Sequence, residues 1–319
     1  MIRVRGASVA AALLADALFG EPPETIHPVV FMGRAISAFE KRALALRDTR
    51  RVRLAGLFLA VTLPALSFAL ARGALYLTPS KLRWIFEVVL LSNTLAMRGL
   101  ARSALVVESE LEGGDVAYAC VCVGEFVGRD TAHLPANEVS RAAIESVAEN
   151  ASDGVVAPMF YGFLLGAPGA MAYKAVNTLD SMVGHPYPPY ENLGWASARL
   201  DDLANFVPAR LTTLLAAAAS GFAGGSGFVK TLAVASCYGP LTKSPNAGWA
   251  EAAFAGALDL RLGGPNSYGG VLREGPVLGS GRAPGAVDIR RAVRLMRLVC
   301  LALTGLALAA AMARRRANG

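Results

Sequence analysis

The chain has 319 residues, of which 54% are hydrophobic and only 17% are charged. Soluble domains carry about 25% charged residues, so this composition argues against an ordinary soluble protein and predicts a membrane protein. The net charge is +7, but the basic residues form no long run interleaved with aromatic residues, which argues against a nucleic-acid partner; anionic lipid headgroups or phosphorylated substrates explain the charge as well.

The first third of the chain contains apolar segments that predict membrane-associated helices. Ala7–Phe19 is short for a span, which needs about 20 residues, and predicts a helix that ends at the Gly/Pro break after it. Arg34–Arg53 is rich in Arg and Lys and is therefore expected on the cytoplasmic side. Leu54–Ala71 predicts a transmembrane helix, and Trp84–Met97 predicts the helix that returns the chain.

Three carboxylates follow one another at four-residue spacing in the middle of the chain. Glu145, Glu149 and Asp153 would lie near one face of a helix, which Pro135 or Asn137 is expected to open. An acidic stripe is ordinarily a solvated helix face. Here the stripe runs directly into an uncharged segment, and charged groups at membrane depth usually have a function. We therefore predict a chemical role for these carboxylates.

The two apolar runs after the stripe, residues 155–165 and 170–176, are separated by the helix breaker Gly-Ala-Pro-Gly at 166–169. This pattern predicts a helical hairpin. The hairpin would return Asn177 and Asp180 to the level of the acidic stripe. A single continuous span would instead place the stripe and Asp180 on opposite faces of the membrane, so only the hairpin predicts one site.

The second half of the chain repeats this pattern and adds further polar segments. Leu203–Phe222, a glycine break at 224–227 and Phe228–Tyr238 predict a second broken helix. The glycine-rich string at 262–270 contains Asn and Ser, so its backbone N–H groups can approach an anion, although a plain turn fits equally well. A last apolar helix is expected at Leu298–Ala313, and arginines on both sides leave its orientation open.

Several long polar strings between about residue 16 and about residue 270 are specific enough to identify a family. They are GRDTAHL, ESVAENASDGVVAPMFY, AYKAVNTLDSMVG, GWASARLDDLANFVPARLT, SPNAGWAEAAFAGAL and RLGGPNSYGG, with DALFGEPPETIHPVVFMGR near the start of the chain. Together and in this order, they resemble the adenosylcobinamide-phosphate synthase family of cobalamin biosynthesis.

The resemblance implies an all-α, polytopic protein of the inner membrane, with broken or hairpin helices and a polar site at the cytoplasmic face. It implies a single integral membrane domain over residues 1–319, with polar catalytic segments at about 98–154, 174–210 and 239–290. It further implies an ATP- and Mg²⁺-dependent ligase. Such a ligase joins aminopropanol phosphate, or a related amino-alcohol phosphate, to the corrinoid adenosylcobyric acid, and the product is adenosylcobinamide phosphate.

The implied reaction has a clear chemical requirement, because a carboxylate is a poor acyl donor until ATP activates it. An acyl phosphate attacked by the amine is the expected route, and an acyl-adenylate is left open. The sequence has no GxxxxGK[ST] string, so ATP is not expected in an ordinary P-loop. The expected partners are the small-molecule substrates and the lipid bilayer. A second copy of the chain and other enzymes of the cobalamin pathway are further candidate partners.

The chemistry that the resemblance implies assigns roles to residues of these strings. Mg²⁺ prefers oxygen ligands. The predicted ligands are Glu145, Glu149, Asp153 and Asp180, with Asp201 and Asp202 next. Asn150 and Asn177 are expected to orient the substrate carboxylate or to complete the metal's shell, and His133 or a metal-free carboxylate is expected to accept the amine proton. The predicted substrate- and phosphate-binding residues are Arg129, Asp130, Lys174, Arg199, Asp201, Asp202, Lys243, Asn246, Gly264, Asn266, Ser267 and Tyr268.

Two other classes of function fit part of the sequence. Broken helices with polar residues near membrane depth are also typical of secondary transporters, and a membrane-bound sensor or regulator is a further alternative. The many acidic, Asn and Gly motifs outside the apolar segments, and the lack of a visible inverted repeat in the sequence, favour the enzyme.

Overall fold

The structure, a computed structural model, describes residues 2–25, 27–46 and 48–317. Arg47 of the basic segment lies outside the described residues, as do the side chains of the arginines at 314–316. The described chain is predominantly helical and has only a few short strands, which confirms the predicted all-α class. Its helices are α1 (Ile2–Phe19), α2 (Pro28–Leu44), α3 (Thr49–Leu77), α4 (Ser80–Ser92), α5 (Met97–Glu112), α6 (Val116–Gly124), α7 (Ala136–Asn150), α8 (Ala157–Leu165), α9 (Ala167–Val183), α10 (Tyr190–Leu193), α11 (Trp195–Ala219), α12 (Phe228–Tyr238), α13 (Ala247–Leu258) and α14 (Ala286–Ala317).

The residues form two compact units. Unit 1 comprises Met1–Ala96, Ala157–Phe206 and Leu306–Gly319, and unit 2 comprises Met97–Val156 and Val207–Gly305. Unit 2 also contains short antiparallel strands, with β1 paired to β4 and β2 paired to β3. The strands are β1 (Leu262–Gly263), β2 (Asn266–Tyr268), β3 (Val271–Arg273) and β4 (Val277–Leu278).

Three segments of the described chain are long and apolar enough to cross a membrane: Thr49–Leu77, Ser80–Glu112 and Ala286–Ala313. They contain the apolar helices that the sequence predicts at 54–71, 84–97 and 298–313. The second segment is interrupted by a turn between α4 and α5. These segments confirm the predicted polytopic membrane protein.

The predicted hairpin of unit 1 is present, because α8 ends at Leu165 and α9 begins at Ala167. Gly166 has φ +78°, a backbone conformation that favours glycine. Helix α9 then runs antiparallel to α3. Leu179 of α9 shares a buried cluster with Val52 near the start of α3, whereas Met171 shares another with Ala71 near its end. The hairpin therefore returns α9 to the arginine-rich end of α3.

Unit 2 is built around α7, which begins after Pro135 as predicted. The helix does not continue in α-helical geometry through the acidic stripe. Residues Ala151–Val156 form a π-helical turn, which is wider than an α-helical turn and is frequent at functional sites. The predicted four-residue spacing is α-helical from Glu145 to Glu149, whereas Asp153 lies in the π-helical turn, and its alignment with the other two carboxylates stays a prediction.

The glycine-rich string of unit 2 is a β-hairpin rather than an irregular loop. Strands β2 and β3 pair from Asn266 to Arg273, and the two residues that connect them are Gly269 and Gly270, with φ +58° and +78°. Two consecutive residues with positive φ are the requirement of a tight two-residue hairpin turn. The Gly-Gly pair therefore fixes the turn and the register of this hairpin.

Candidate functional site

The carboxylate of Glu145 is the centre of a buried network in unit 2. Its Oε2 accepts a short hydrogen bond from the guanidinium of Arg129. Its Oε1 accepts hydrogen bonds from Arg141 at 3.1 Å and from the backbone N–H of Gly263 at 2.6 Å. Both oxygens are thus occupied, so a metal at Glu145 would have to displace these donors, and its role as a ligand stays a prediction.

Arg141, one helical turn before Glu145, connects α7 to the segment around β1 and β2. Its guanidinium donates to the carbonyl oxygens of Gly263 at 2.8 Å and Pro265 at 3.1 Å. It also pairs with Glu138 at 2.5 Å. Burial disfavours the Arg141 cation, but Glu145 and Glu138 outweigh this effect and raise its pKa. Arg141 is therefore a permanently charged clamp between the helix and the strand segment.

Asn266 joins the two arginines. Its side-chain oxygen accepts hydrogen bonds from Arg129 at 2.8 Å and from Arg141 at 2.9 Å. This geometry supports a positioning role for Asn266. Direct contact with a substrate, as the sequence predicts, stays a prediction.

Glu251 on α13 adds a further carboxyl group to this network. Its pKa is raised well above the usual value by burial and by the charges of Glu145 and Glu149, although Arg129 and Arg141 act in the opposite direction. Even without Glu251, the three carboxylates of Glu138, Glu145 and Glu149 outnumber the two guanidiniums. The network therefore has an excess of negative charge.

An excess of negative charge favours the binding of a cation such as Mg²⁺. In the part of the chain that the structure describes, no group of three or more His, Cys, Asp or Glu side chains could hold a metal ion by itself. Mg²⁺ beside substrate phosphates usually has only one or two protein carboxylates as ligands. The exposed Glu149 and the half-buried Asp153 suit that coordination.

The β2–β3 hairpin binds an anion, and that anion is Asp130 of the same chain. The Asp130 carboxylate accepts hydrogen bonds from the Ser267 hydroxyl at 2.7 Å and from the N–H groups of Gly269 and Gly270 at 3.0 and 2.8 Å. These hydrogen bonds, led by that of Gly270, lower the pKa of Asp130. The backbone N–H groups of this string thus contact a carboxylate of the protein itself, and the predicted contact with phosphate stays a prediction. Substrate binding by Asp130, Ser267 and the neighbouring Tyr268 stays a prediction.

The SPNAGW string positions a further arginine of unit 2, Arg210. Asn246 is buried, and its side-chain oxygen accepts a hydrogen bond of 2.7 Å from Arg210. Arg210 also lies 5.0 Å from the centre of the Trp249 ring, a cation–π contact. Burial lowers the pKa of Arg210. Lys243, two residues before this string's proline, is exposed.

The remaining predicted residues of unit 2 have diverse surroundings. The Asn150 amide donates to the backbone oxygen of Ser146 at 3.0 Å. His133 is exposed. Gly264 is buried, and its N–H donates to the oxygen of Pro276 at 2.9 Å. The hydrogen bond of Asn150 uses its side-chain nitrogen, so its side-chain oxygen can accept from another donor. The backbone hydrogen bond of Gly264 holds it within the strand segment.

A second set of predicted residues lies in unit 1, around the carboxyl group of Asp180. The pKa of Asp180 is raised by burial and by Asp202, with His185 opposing the shift. The pKa of Asp202 is raised by burial, although Arg199 pairs with it at 3.4 Å. Two neighbouring carboxyl groups that both resist ionisation favour the binding of a cation or a proton.

Asp201 belongs to a buried hydrogen-bond chain in the same unit. Its carboxylate accepts a hydrogen bond of 3.0 Å from Asn205, whose side-chain oxygen accepts one of 2.7 Å from the Tyr173 hydroxyl. This chain fixes Asp201 in place and connects α11 to α9. Lys174 and Asn177 of α9 are half-buried. The charge of Lys174 contributes, after burial, to the lowered pKa of His27.

The sequence analysis did not identify Arg141, Arg210 or Glu251 as site residues. Arg141 stands four residues before Glu145, which is a spacing for helical ion pairs, and this signal could have identified it. Arg210 and Glu251 lie in apolar helices, where a charged residue is itself a functional signal. Both signals were available in the sequence.

Comparison with known proteins identifies the family. The family described as CobD/Cbib protein matches residues 9–296. The cobalamin biosynthesis protein CobD of Klebsiella pneumoniae is 42% identical over 291 residues, covering 89% of this chain and 91% of that protein. The cobalamin biosynthesis protein CbiB of Salmonella typhimurium is 40% identical with the same coverage.

CobD of a Sinorhizobium species, also described as a cobalamin biosynthesis protein, is 42% identical over 315 residues and covers 95% of this chain and 97% of that protein. No solved structure matches the chain. The family match extends over the acidic helix, the hairpin and the glycine-rich strands described above. The chain therefore belongs to the CobD/CbiB family of cobalamin biosynthesis proteins.

Proposed function

We propose that this protein is an adenosylcobinamide-phosphate synthase. It would join aminopropanol phosphate, or a related amino-alcohol phosphate, to adenosylcobyric acid at the expense of ATP. The observation that supports this proposal best is the Glu145 network. Four of the strings that resemble the family contribute to it, through Arg129, Glu145, Glu251 and Asn266. Strings far apart in the sequence thus meet around one set of charges.

The proposed reaction has two steps. The corrinoid carboxylate attacks the γ-phosphorus of ATP, so that a P–O bond to the acid forms and ADP leaves. The amine nitrogen then attacks the carbonyl carbon, a C–N bond forms, inorganic phosphate leaves and the nitrogen loses a proton. Mg²⁺, when bound, would neutralise the negative charge of the phosphates.

The residues of the network have distinct parts in this proposal. Glu149 and Asp153 would hold the Mg²⁺, and Glu145 would position Arg129 and Arg141 through its two occupied oxygens. Positioning of charged groups before the reaction is a large contribution to catalysis. Among the predicted residues of unit 1, Lys174 and Arg199 would bind phosphate and Asp180 would bind cation.

Glu251 is the carboxyl group that best suits the proton transfer. Burial and its acidic neighbours raise its pKa well above the usual glutamate value, and a carboxylate with a raised pKa is a stronger proton acceptor. His133, exposed on the loop before α7, is the alternative acceptor that the sequence predicts.

The proposal places the Asp180 group of unit 1 on the cytoplasmic side of the cell membrane, where ATP is available. Within unit 1, Asp180 lies toward the end of α3 that begins with Arg50, Arg51 and Arg53. Basic residues beside a span favour the cytoplasmic side. The arginine-rich end of α3 is therefore expected on the same side of the membrane as the supply of ATP.

The experiment is direct. The purified protein in detergent is incubated with ATP, Mg²⁺, adenosylcobyric acid and aminopropanol phosphate, and the corrinoids are analysed by mass spectrometry. The proposal predicts a new corrinoid amide and one ADP for each amide. ADP release without amide would indicate a transport ATPase, and neither product would indicate a sensor; both outcomes would contradict the proposal.

A further inference from the structure

A cavity of about 800 Å³ lies in unit 1, where α3 ends and α4 begins, and none of the residues proposed above for the reaction is in its lining. Its charged lining consists of Arg5, Arg72, Arg83 and Glu87. Three guanidiniums against one carboxylate give this lining an excess of positive charge. The remaining wall is largely apolar and includes Leu75 and Leu165.

The cavity is located at the end of two candidate membrane spans. Thr49–Leu77 and Ser80–Glu112 are joined by only two residues, so their junction marks the depth at which the chain meets the membrane surface. Tyr76 and Trp84 beside this junction are 81% and 45% exposed. Exposed Tyr and Trp side chains are enriched at membrane–water interfaces. The cavity therefore lies at the depth of lipid headgroups.

The turn of the α8–α9 hairpin closes one side of the cavity. Arg5 donates a hydrogen bond to the backbone oxygen of Leu164. The carboxylate of Glu87 lies against Gly166, so close that a Cβ at this position would be 2.9 Å from its Oε1. Arg5 and Glu87 are thus partly engaged with the protein. Arg83 donates a hydrogen bond of 3.3 Å to the backbone oxygen of Thr78. Arg72 and Arg83 are both exposed, and their guanidiniums have further N–H groups for a ligand that enters from outside.

We propose that this cavity binds the phosphate headgroup of an anionic phospholipid. A guanidinium can form two parallel hydrogen bonds with a phosphate, and basic pockets between transmembrane helices bind anionic lipid headgroups. The apolar wall beside Leu75 and Leu165 accommodates the start of the acyl chains. A soluble phosphate has the same charge but leaves this wall uncovered, so the cavity favours the lipid.

The test is lipid retention by the full-length protein. The protein is purified in detergent, exposed to equal amounts of phosphatidylglycerol and phosphatidylcholine, and analysed by native mass spectrometry. We expect phosphatidylglycerol to be retained preferentially. Arg72→Gln and Arg83→Gln should each weaken its retention about fivefold, which corresponds to the contribution of one basic residue near an anionic membrane surface.

Arg51→Gln is the matched control, since it removes an exposed charge at the other end of α3, and it should leave retention unchanged. Equal retention of both lipids by the unaltered protein would overturn the proposal, and this comparison does not depend on any variant folding. Unchanged retention in folded Arg72→Gln and Arg83→Gln would also overturn it. Displacement of the lipid by excess inorganic phosphate would instead identify a site for soluble phosphate and would contradict the proposal that the cavity binds a phospholipid.

Discussion

Arg129 forms an ion pair with Glu145 from which solvent is largely excluded, because the two side chains are only 13% and 5% exposed. The pair connects the loop before α7 to the middle of that helix, across 16 residues of sequence. A buried charge that loses its partner is strongly destabilising. The Glu145 network is therefore both the proposed site and a vulnerable part of unit 2.

Arg129→Met should lower the free energy of unfolding by about 3 kcal/mol, because it leaves Glu145 buried with less compensation. The measurement is denaturant-induced unfolding in mixed micelles. Arg199→Gln is the control, since this arginine is 70% exposed, and surface pairs contribute at most about 1 kcal/mol. Addition of Glu145→Gln to Arg129→Met should recover part of the loss. Equal effects of Arg129→Met and Arg199→Gln would contradict the buried network.

Glu251→Gln should stabilise the protein while it impairs the reaction. The raised pKa of Glu251 means that the folded protein binds its proton more tightly than the unfolded chain does. The stability linked to this proton is fully present below the usual glutamate pKa and is lost as pH rises through the raised pKa. Glutamine resembles the protonated acid but cannot ionise, so Glu251→Gln does not lose this stability as the pH rises.

The melting temperature of Glu251→Gln should therefore exceed that of the unaltered protein by an amount that increases with pH across this interval. Thermal unfolding at a series of pH values measures it. Glu191→Gln, at an exposed glutamate, should show no such trend. A pH-independent difference between Glu251→Gln and the unaltered protein would rule out the raised pKa.

Asp130→Asn should loosen the turn of the β2–β3 hairpin. The carboxylate accepts N–H groups of Gly269 and Gly270, and a neutral amide oxygen is a weaker acceptor. Hydrogen–deuterium exchange should become faster at these two glycines. Asp115→Asn is the matched control, because Asp115 accepts the N–H of Tyr118 at the start of α6. Its effect should be confined to α6, and unchanged exchange at the hairpin in Asp130→Asn would refute the contact.

Gly166→Ala should destabilise the α8–α9 hairpin by about 1–2 kcal/mol, because an L residue is disfavoured at φ +78°. The added Cβ would also meet Glu87. Gly305→Ala, within α14 where nothing lies within 4 Å of the new Cβ, should be neutral or stabilising. Unfolding in mixed micelles compares the two. If Gly166→Ala changed the free energy of unfolding no more than Gly305→Ala does, the sharp turn at Gly166 would be contradicted.

The fold was most predictable where local residue types decide the backbone. The Gly-Ala-Pro-Gly string predicted the break between α8 and α9, and Pro135 predicted the start of α7. Both depend on conformational preferences of residues at the break itself. The π-helical turn at Ala151–Val156 has no comparable local signature, so the sequence did not predict the change of helix type at Asp153.

The site was predictable in its residue types but not in its pairings. Glu145 and Arg129 were both identified from the sequence, yet their contact with each other and with Asn266, 137 residues after Arg129, is set by tertiary structure. The glycine-rich string was expected to offer N–H groups to phosphate. Its observed anion is Asp130 of the same chain, which spacing in the sequence could not reveal.

The most direct test of the proposed reaction is amide formation by variants of the acidic helix. Glu149→Gln and Asp153→Asn are compared with the unaltered protein in the presence of ATP, Mg²⁺, adenosylcobyric acid and aminopropanol phosphate, with Glu191→Gln as the control. We expect each site variant to form the corrinoid amide about 10²–10³-fold more slowly, while the control retains the normal rate. Near-normal ATP-dependent amide formation in both site variants would contradict it.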